Sequence, residues 1–338
     1  EQLTVGKGAP FERVADALKA ARIGDRIVVK PGVYKETLVW PSTHGITLFA
    51  EKGAAETVLE GDGKNPVIQM EGKLKWDTVI DGFIIRGGGG GHERGKFGAG
   101  INLIGASPTV RNCRIEGNEA RPYRGTGGIF LWNSRAVIEQ NEIIQNRYQA
   151  ERLHGGGICV WGGMPKIRYN LIEGNGGDDE RYFTRGAGVR LRESQTLLKN
   201  NVIRLNVSTS VGSALYVEQG DRSCLFGNLI EKNKNLGGSA GALFIEPNSD
   251  PLVGGDAPGE PNTIRDNIHD WKYAKVKEEK IRNLSPEGLG KERRAIQANF
   301  WGGKDEQTLS MQLEKIAPRP KAAEQPSENM EVGPKRIK

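Results

Sequence analysis

The strongest constraint on how this chain can fold is a six-residue phrase, Asn at both ends and Ile in third place, that returns along the sequence at a nearly constant interval. It is complete at residues 141–146, 170–175, 201–206, 228–233 and 262–267; the copy at 113–118 opens on Cys113, and a degenerate one opens on Gly82. Leading positions lie 27 to 34 residues apart. Before each Asn phrase stands a second one, small residues followed by a short apolar alternation, at 98–103, 127–132, 156–161, 186–192, 212–218 and 241–246. A third short strand fits between the two, as at 136–139, 166–168 and 196–199. Each repeat therefore carries three short strands of period-two alternation and no stretch of helical period.

Strands this short cannot each bury a face in separate hairpins, whereas stacking one repeat on the next buries a continuous core. The pattern predicts an all-β solenoid with three strands per coil. Asn at a fixed corner has a physical reason: it tolerates left-handed backbone, and its amide can bond to the copies above and below. The open ends of such a stack need covers. Residues 10–24 are expected to supply an N-terminal cap helix, with Phe11, Val14, Ala15, Leu18 and Ala21 on one face, Pro10 near its start and Gly24 just after it. Residues 298–316 are read as a C-terminal cap, 270–294 as a charged insertion and 317–338 as a charged, Pro-containing tail. Residues 1–316 then form a single domain.

The 47 glycines among 338 residues are about twice the usual share, which implies tight turns or close backbone approaches. A net charge of +6 favours an acidic partner. Lys and Arg are interleaved with acids rather than gathered in a basic stripe, which argues against nucleic acid. No apolar run is long enough to span a bilayer, and no signal peptide is visible. Cys113, Cys159 and Cys224 are odd in number and lack metal-type spacing, as do His44, His92, His154 and His269. The glycine run 87–91 lacks the Lys-Ser/Thr ending and the following helix of a phosphate loop.

The Asn ladder, the three strands per coil, the opening TVGKGAPFERVADALKAARIGDRIVVKPGVY and the late NFWG together resemble the right-handed parallel β-helix superfamily that contains pectate lyases and related carbohydrate-active proteins. The resemblance covers residues 3–316. The opening is also similar to that of pectin methylesterases, but their catalytic carboxylate motifs are not found here, nor is the Asp-Pro-His of alginate epimerases. The resemblance implies an extracellular or periplasmic monomer acting on a polysaccharide. It also places the groove on the first strand of each coil and the loop before it. Those loops carry His92, Glu93, Arg94 and Lys96; Arg121, Tyr123 and Arg124; Arg147, Tyr148, Glu151, Arg152 and His154; and Asp178, Asp179, Glu180, Arg181, Tyr182 and Arg185.

Aligning the first strands puts Ile101, Ile129, Ile158, Val189, Leu215 and Leu243 at one inward position and Leu103, Leu131, Val160, Leu191, Val217 and Ile245 at the next. All are aliphatic, which fixes the register. The outward positions then read Asn102, Phe130, Cys159, Arg190, Tyr216 and Phe244, followed by Ile104, Trp132, Trp161, Arg192, Glu218 and Glu246. Exposed aromatics in line with arginines and carboxylates suit an anionic sugar chain: rings meet pyranose faces, and guanidinium groups bond uronate or sulfate. The same aromatics also serve as cross-strand packing beneath the loops.

The leading reading of this face is a lyase that cleaves a uronate-containing polysaccharide, with two alternatives. β-Elimination on a uronate needs a cation on the carboxylate, a base and a proton donor. Arg190 and Arg192 are candidates for the cation, and Tyr216, Tyr182 or His154 for the proton work. Asp178, Asp179 and Glu180 are candidate Ca²⁺ ligands. The first alternative is glycoside hydrolysis by a carboxylate pair, for which Glu218 and Glu246 stand on adjacent coils. The second is non-catalytic glycan binding or a structural role. In each, Trp132, Trp161, Phe130, Arg124, Arg152, Arg185, Tyr182 and Glu246 are the candidate substrate contacts. Cys159 lacks a His partner in register and is read as a structural thiol.

Overall fold

A computed structural model of the protein describes residues 1–90, 97–120, 125–148, 155–177, 179, 184–236, 241–246, 248–253, 262–269 and 300–301. The chain winds into coils of three strands, and like strands of successive coils pair in parallel to form sheets of 8, 10 and 10 strands. The first sheet includes Ile68–Glu71, Ile101–Ile104, Ile129–Ser134, Ile158–Gly163, Val189–Arg192, Leu215–Glu218 and Leu243–Ile245. Its register pairs Ile101 with Ile129, Ile129 with Ile158, Ile158 with Val189, Val189 with Leu215 and Leu215 with Leu243. Both aliphatic columns face the interior, and every member is buried. They merge with the inward residues of the other two sheets into one core running the length of the stack. Two further sheets of three two-residue strands each, which the repeat pattern did not indicate, follow the Asn phrases in six of the coils.

The Asn phrase builds two ladders, one from each of its ends. The first runs through Asn141, Asn170, Asn201, Asn228 and Asn262, and the second through Asn118, Asn146, Asn175, Asn206, Asn233 and Asn267. Asn170 is typical. Its Oδ1 accepts from the backbone N and Nδ2 of Asn141 at 3.0 and 3.1 Å, while its own Nδ2 donates to Ile138 O at 2.9 Å and Asn201 Oδ1 at 3.0 Å. Cys113, lacking an amide, still donates its backbone N–H to Asn141 Oδ1.

The left-handed backbone expected of these Asn residues belongs instead, at every described corner but that of Asn262, to the residue before them. Gln140, Tyr169, Asn200, Gln145, Leu205, Lys232 and Asp266 have φ between 52° and 57°, and Gly117, Gly174 and Gly227 fill the equivalent places. The division of labour is physical: one residue makes the reversal, and the next points its amide inward to take the carbonyls and N–H groups that the bend leaves unpaired.

The N-terminal helix α1 spans Val14–Ala20 and buries Val14, Ala17 and Leu18 against the first coil. It starts later than the apolar spacing indicates because Phe11 is held in a bridge to Val5. The helix has no cap from its own neighbours; Glu36 of the first coil accepts from the N–H groups of Val14 and Ala15 at 2.9 and 3.0 Å. This carboxylate satisfies two orphan donors and sits at the positive end of the helix. The insertion and tail lie outside the described residues, as does the C-terminal cap except for strand Phe300–Trp301. No helix among the described residues is long and apolar enough to cross a membrane.

The outer face of the third sheet carries one column of almost strictly alternating charge: Lys35, Glu60, Arg86, Glu116, Ile144, Glu173, Arg204, Glu231 and Arg265. Ion pairs join Glu60 to Arg86 at 3.0 Å, Glu173 to Arg204 at 2.6 Å and Glu231 to Arg265 at 3.0 Å. On the second sheet Asp81 pairs with Arg111 and Glu139 with Arg168, each at 2.8 Å.

The ladders yield a direct expectation. Asn170→Ala strands Ile138 O and the Asn141 donors in the interior, and since each such group costs about 1–3 kcal/mol, urea denaturation should show a loss of about 3 kcal/mol or more.

Candidate functional site

In the first sheet, residues one position apart alternate between core and exterior, so Asn102, Phe130, Cys159, Arg190, Tyr216 and Phe244 form a column on the outer side, as the alignment indicates. They are outward but not exposed. Asn102, Phe130, Cys159, Arg190 and Tyr216 are all buried. The reason lies in the segment preceding each strand, which folds back across the column at a glycine. A Cβ on Gly98 would stand 2.9 Å from Phe130 Cβ, and one on Gly186 3.0 Å from both Arg190 Cβ and Tyr216 Cβ. Gly186 also has φ +63° and Gly212 φ +61°, backbone that side chains disfavour. Asn102 pins the first of these segments by accepting from the N–H groups of Phe97 and Gly98, and Phe97 lies 5.2 Å from the Phe130 ring.

Beneath this roof Arg190 and Glu218 form a buried ion pair through Nε–H and Nη2–H to the same Oε1, the former at 2.8 Å. Tyr216 donates its phenol proton to Glu246 Oε1 at 2.5 Å, and the guanidinium carbons of Arg190 and Arg185 lie 5.5 and 5.8 Å from its ring centre. Tyr148 is buried beside them and accepts from Arg185 N at 3.1 Å. Burial raises both phenols above their ordinary range, reinforced at Tyr216 by the bond to Glu246. Burial also pushes the Cys159 thiol up to about 11 against the pull of Arg190, so it stays protonated at neutral pH. These groups are engaged with one another under a covering loop.

The expectation of an open groove is therefore corrected for Phe130, Arg190, Tyr216 and Glu218. The proposed carboxylate pair is likewise not a free pair, since Glu218 is held by Arg190 and Glu246 by Tyr216. What remains at the surface is the next column. Trp132 is 38% exposed, and its ring stacks on that of Trp161 at 6.0 Å and 27°. Arg192 lies over the other side of Trp161, its guanidinium carbon 4.1 Å from the ring centre. Its ion pair is with Glu193, the next residue, Nε to Oε1 at 3.3 Å on the exposed side. Three successive coils thus present indole, indole and guanidinium in one stack.

Among the other sequence-derived candidates, Arg185 reaches the buried network, while His154, Arg124, Arg152, Tyr182, Asp178 and Glu180 lie outside the described residues, as do the 92–96 and 121–124 side chains. Asp179 is half-buried, and no group of three His, Cys, Asp or Glu residues able to hold a metal occurs among the described residues. The Arg190–Glu218 pair went unread because its partners stand on neighbouring coils two positions apart in register. The glycine before each first strand was the available sign, since a residue without Cβ at a fixed distance from an outward side chain marks a backbone crossing over it.

The family pattern described as right handed beta helix region matches residues 68–255, more than half of the chain. The chain belongs to the right-handed β-helix family. No curated protein sequence matches it. Solved structures similar to this β-helix include pectin methylesterase from carrot, 11% identical over 74% of this chain and 88% of that one, with a TM-score of 0.37. The pectin methylesterase of Aspergillus niger is 13% identical over 73% and 89%, with a TM-score of 0.40. Pectate lyase Pel9A is 13% identical over 84% and 80%, with a TM-score of 0.39.

If Arg190 serves to neutralise Glu218 beneath the glycine roof, Arg190→Ala should cost about 3–5 kcal/mol of stability, because it leaves a buried carboxylate alone. The double replacement Arg190→Met with Glu218→Leu should recover most of that loss, read by urea denaturation of the two variants beside the wild type.

Proposed function

We propose that this β-helix binds an acidic polysaccharide along the Trp132–Trp161–Arg192 stack, and that the buried Arg190 network supports this face rather than performing chemistry. The observation that carries the reading is the stack itself. Two indoles on adjacent coils offer flat apolar faces to sugar rings at the cost of little side-chain entropy, because each is fixed by its neighbour and by the sheet. Arg192, held flat on Trp161, keeps a planar fork of donors for a carboxylate or sulfate. Its competing contact with Glu193 is exposed and contributes little. By contrast, Arg86, Arg111, Arg168, Arg204 and Arg265 on the other two faces are each matched with a carboxylate of a neighbouring coil.

Cleavage by β-elimination is less well supported. It needs a cation, a base and a donor open to the substrate, yet Arg190 and Tyr216 are committed to Glu218 and Glu246. Of the described Arg and Tyr residues read for this chemistry, Arg192 is the one that stays at the surface. The same commitments count against hydrolysis by Glu218 and Glu246. Arg192 supplies positive charge without calcium, and an extracellular or periplasmic setting is where such a ligand is met.

The test is affinity electrophoresis in gels containing polygalacturonate, alginate or a sulfated glycan. Retardation by at least one polymer is expected. Trp161→Ala should weaken it about tenfold, the scale of one lost aromatic stack and its ring area, while Arg192→Ala should abolish its salt dependence. An increase in the ultraviolet absorbance of unsaturated uronides would replace this reading with a lyase, and new reducing ends without that absorbance with a hydrolase.

A further inference from the structure

The corner that joins the first sheet to the second, in the early coils, gathers side chains that neither the core nor the stack above employs. It is formed by the turns that precede strands Arg26–Val29, Thr47–Ala50 and Val79–Asp81. Gly45 is its centre: a Cβ there would lie 3.4 Å from Asp77 Oδ2 and 3.6 Å from Ile23 Cγ2. His44 Nδ1 meets Asp77 Oδ2 at 3.1 Å, with both side chains about a third exposed. Trp76, next in sequence to Asp77, is 65% exposed, and Ile23 equally so. The turns are fixed from both sides, since Gly45 N donates to Thr78 Oγ1 at 2.9 Å and Thr109 Oγ1 donates to Trp76 O at 2.9 Å.

Asp77 Oδ1 and the indole N–H of the core residue Trp40 have no hydrogen-bond partner among the described residues but are closed to solvent, so the polar groups open to a ligand here are those of the third-exposed His44 and Asp77 side chains. What this corner offers at the surface is an exposed indole next in sequence to a part-exposed imidazole–carboxylate pair that the core does not employ.

We propose that this corner is a second sugar-binding site, in which Trp76 receives the apolar face of a pyranose ring and the His44–Asp77 pair receives its hydroxyls. A hydroxyl both donates and accepts, which suits an imidazole nitrogen that can do either, according to tautomer, and the part-exposed carboxylate of Asp77. Asp77 fixes the imidazole through Nδ1, so that Nε2 is presented in one orientation. Lys73 and Lys75, exposed on the turn that carries Trp76, admit acidic as well as neutral sugars. The site stands apart from the Trp132–Trp161–Arg192 stack and does not need it.

Isothermal titration with hexasaccharides of glucose, mannose and galacturonate tests the assignment. At least one should bind to the wild type. Trp76→Ala should weaken that binding about tenfold or more, Trp76→Phe should retain most of it, His44→Ala should weaken it, and Val33→Ala, at an exposed position on the third sheet, should leave it unchanged. Since Trp76 is exposed, the thermal midpoint of Trp76→Ala should match the wild type; if that variant does not fold, His44→Ala carries the same comparison. The proposal is overturned if none of the three hexasaccharides binds, or if binding survives both substitutions undiminished. Self-association that Trp76→Ala abolishes, without sugar binding, would overturn it in favour of a protein contact. Loss of binding in Trp161→Ala but not in Trp76→Ala would leave the stack as the sugar site and remove this one.

Discussion

Everything in this molecule hangs on the buried carboxamide. A solenoid coil must turn sharply at its corners, and each turn withdraws carbonyls and N–H groups from the sheets without giving them partners. The Asn side chain replaces those partners with one donor and one acceptor aimed in opposite directions along the stack. Because each amide bonds to the next, the ladders link coil to coil as the sheets do, and the aliphatic columns can then fill the interior without a polar gap. The outer strip and roof of the later coils are positioned by coils whose spacing the ladders hold.

Much of this was legible in the repeat. The spacing of the Asn phrase set the coil length, and the unbroken aliphatic columns from Ile101 to Leu243 and from Leu103 to Ile245 set the register, so the outward residues were named correctly. Their exposure was not, because alternation says only which side of a sheet a residue faces. Whether another stretch of chain crosses that side depends on the path of a loop, and loops lack periodicity. The glycines at 98, 186 and 212 held that information in a form read only once the distance to Phe130, Arg190 and Tyr216 is known. The pairing of Arg190 with Glu218 was hidden similarly, since it depends on side-chain direction across coils. His44 and Asp77 lie 33 residues apart, close to one coil, yet nothing in either turn marks them as neighbours.

The roof over the first sheet changes what a basic residue there can do. An arginine at the centre of the column is desolvated and must be matched inside the protein, as Arg190 is; an arginine at the strand end escapes the loop and keeps its guanidinium at the surface, as Arg192 does. Two residues of one strand, of the same type and on the same face, thus divide into a buried, internally paired one and one at the surface by position alone. Trp132 and Phe130 divide in the same way one coil pair earlier.

The alternating charges on the third sheet have an evolutionary consequence. The column from Lys35 to Arg265 changes sign at each coil, and Ile144 occupies one place where a positive charge would continue the series. The pattern therefore has parity. Duplicating or deleting a single coil would bring like charges into contact about 4.8 Å apart, whereas gaining or losing coils two at a time would leave every neighbour opposite in sign. Growth of such a solenoid by coil duplication is thus biased toward even steps.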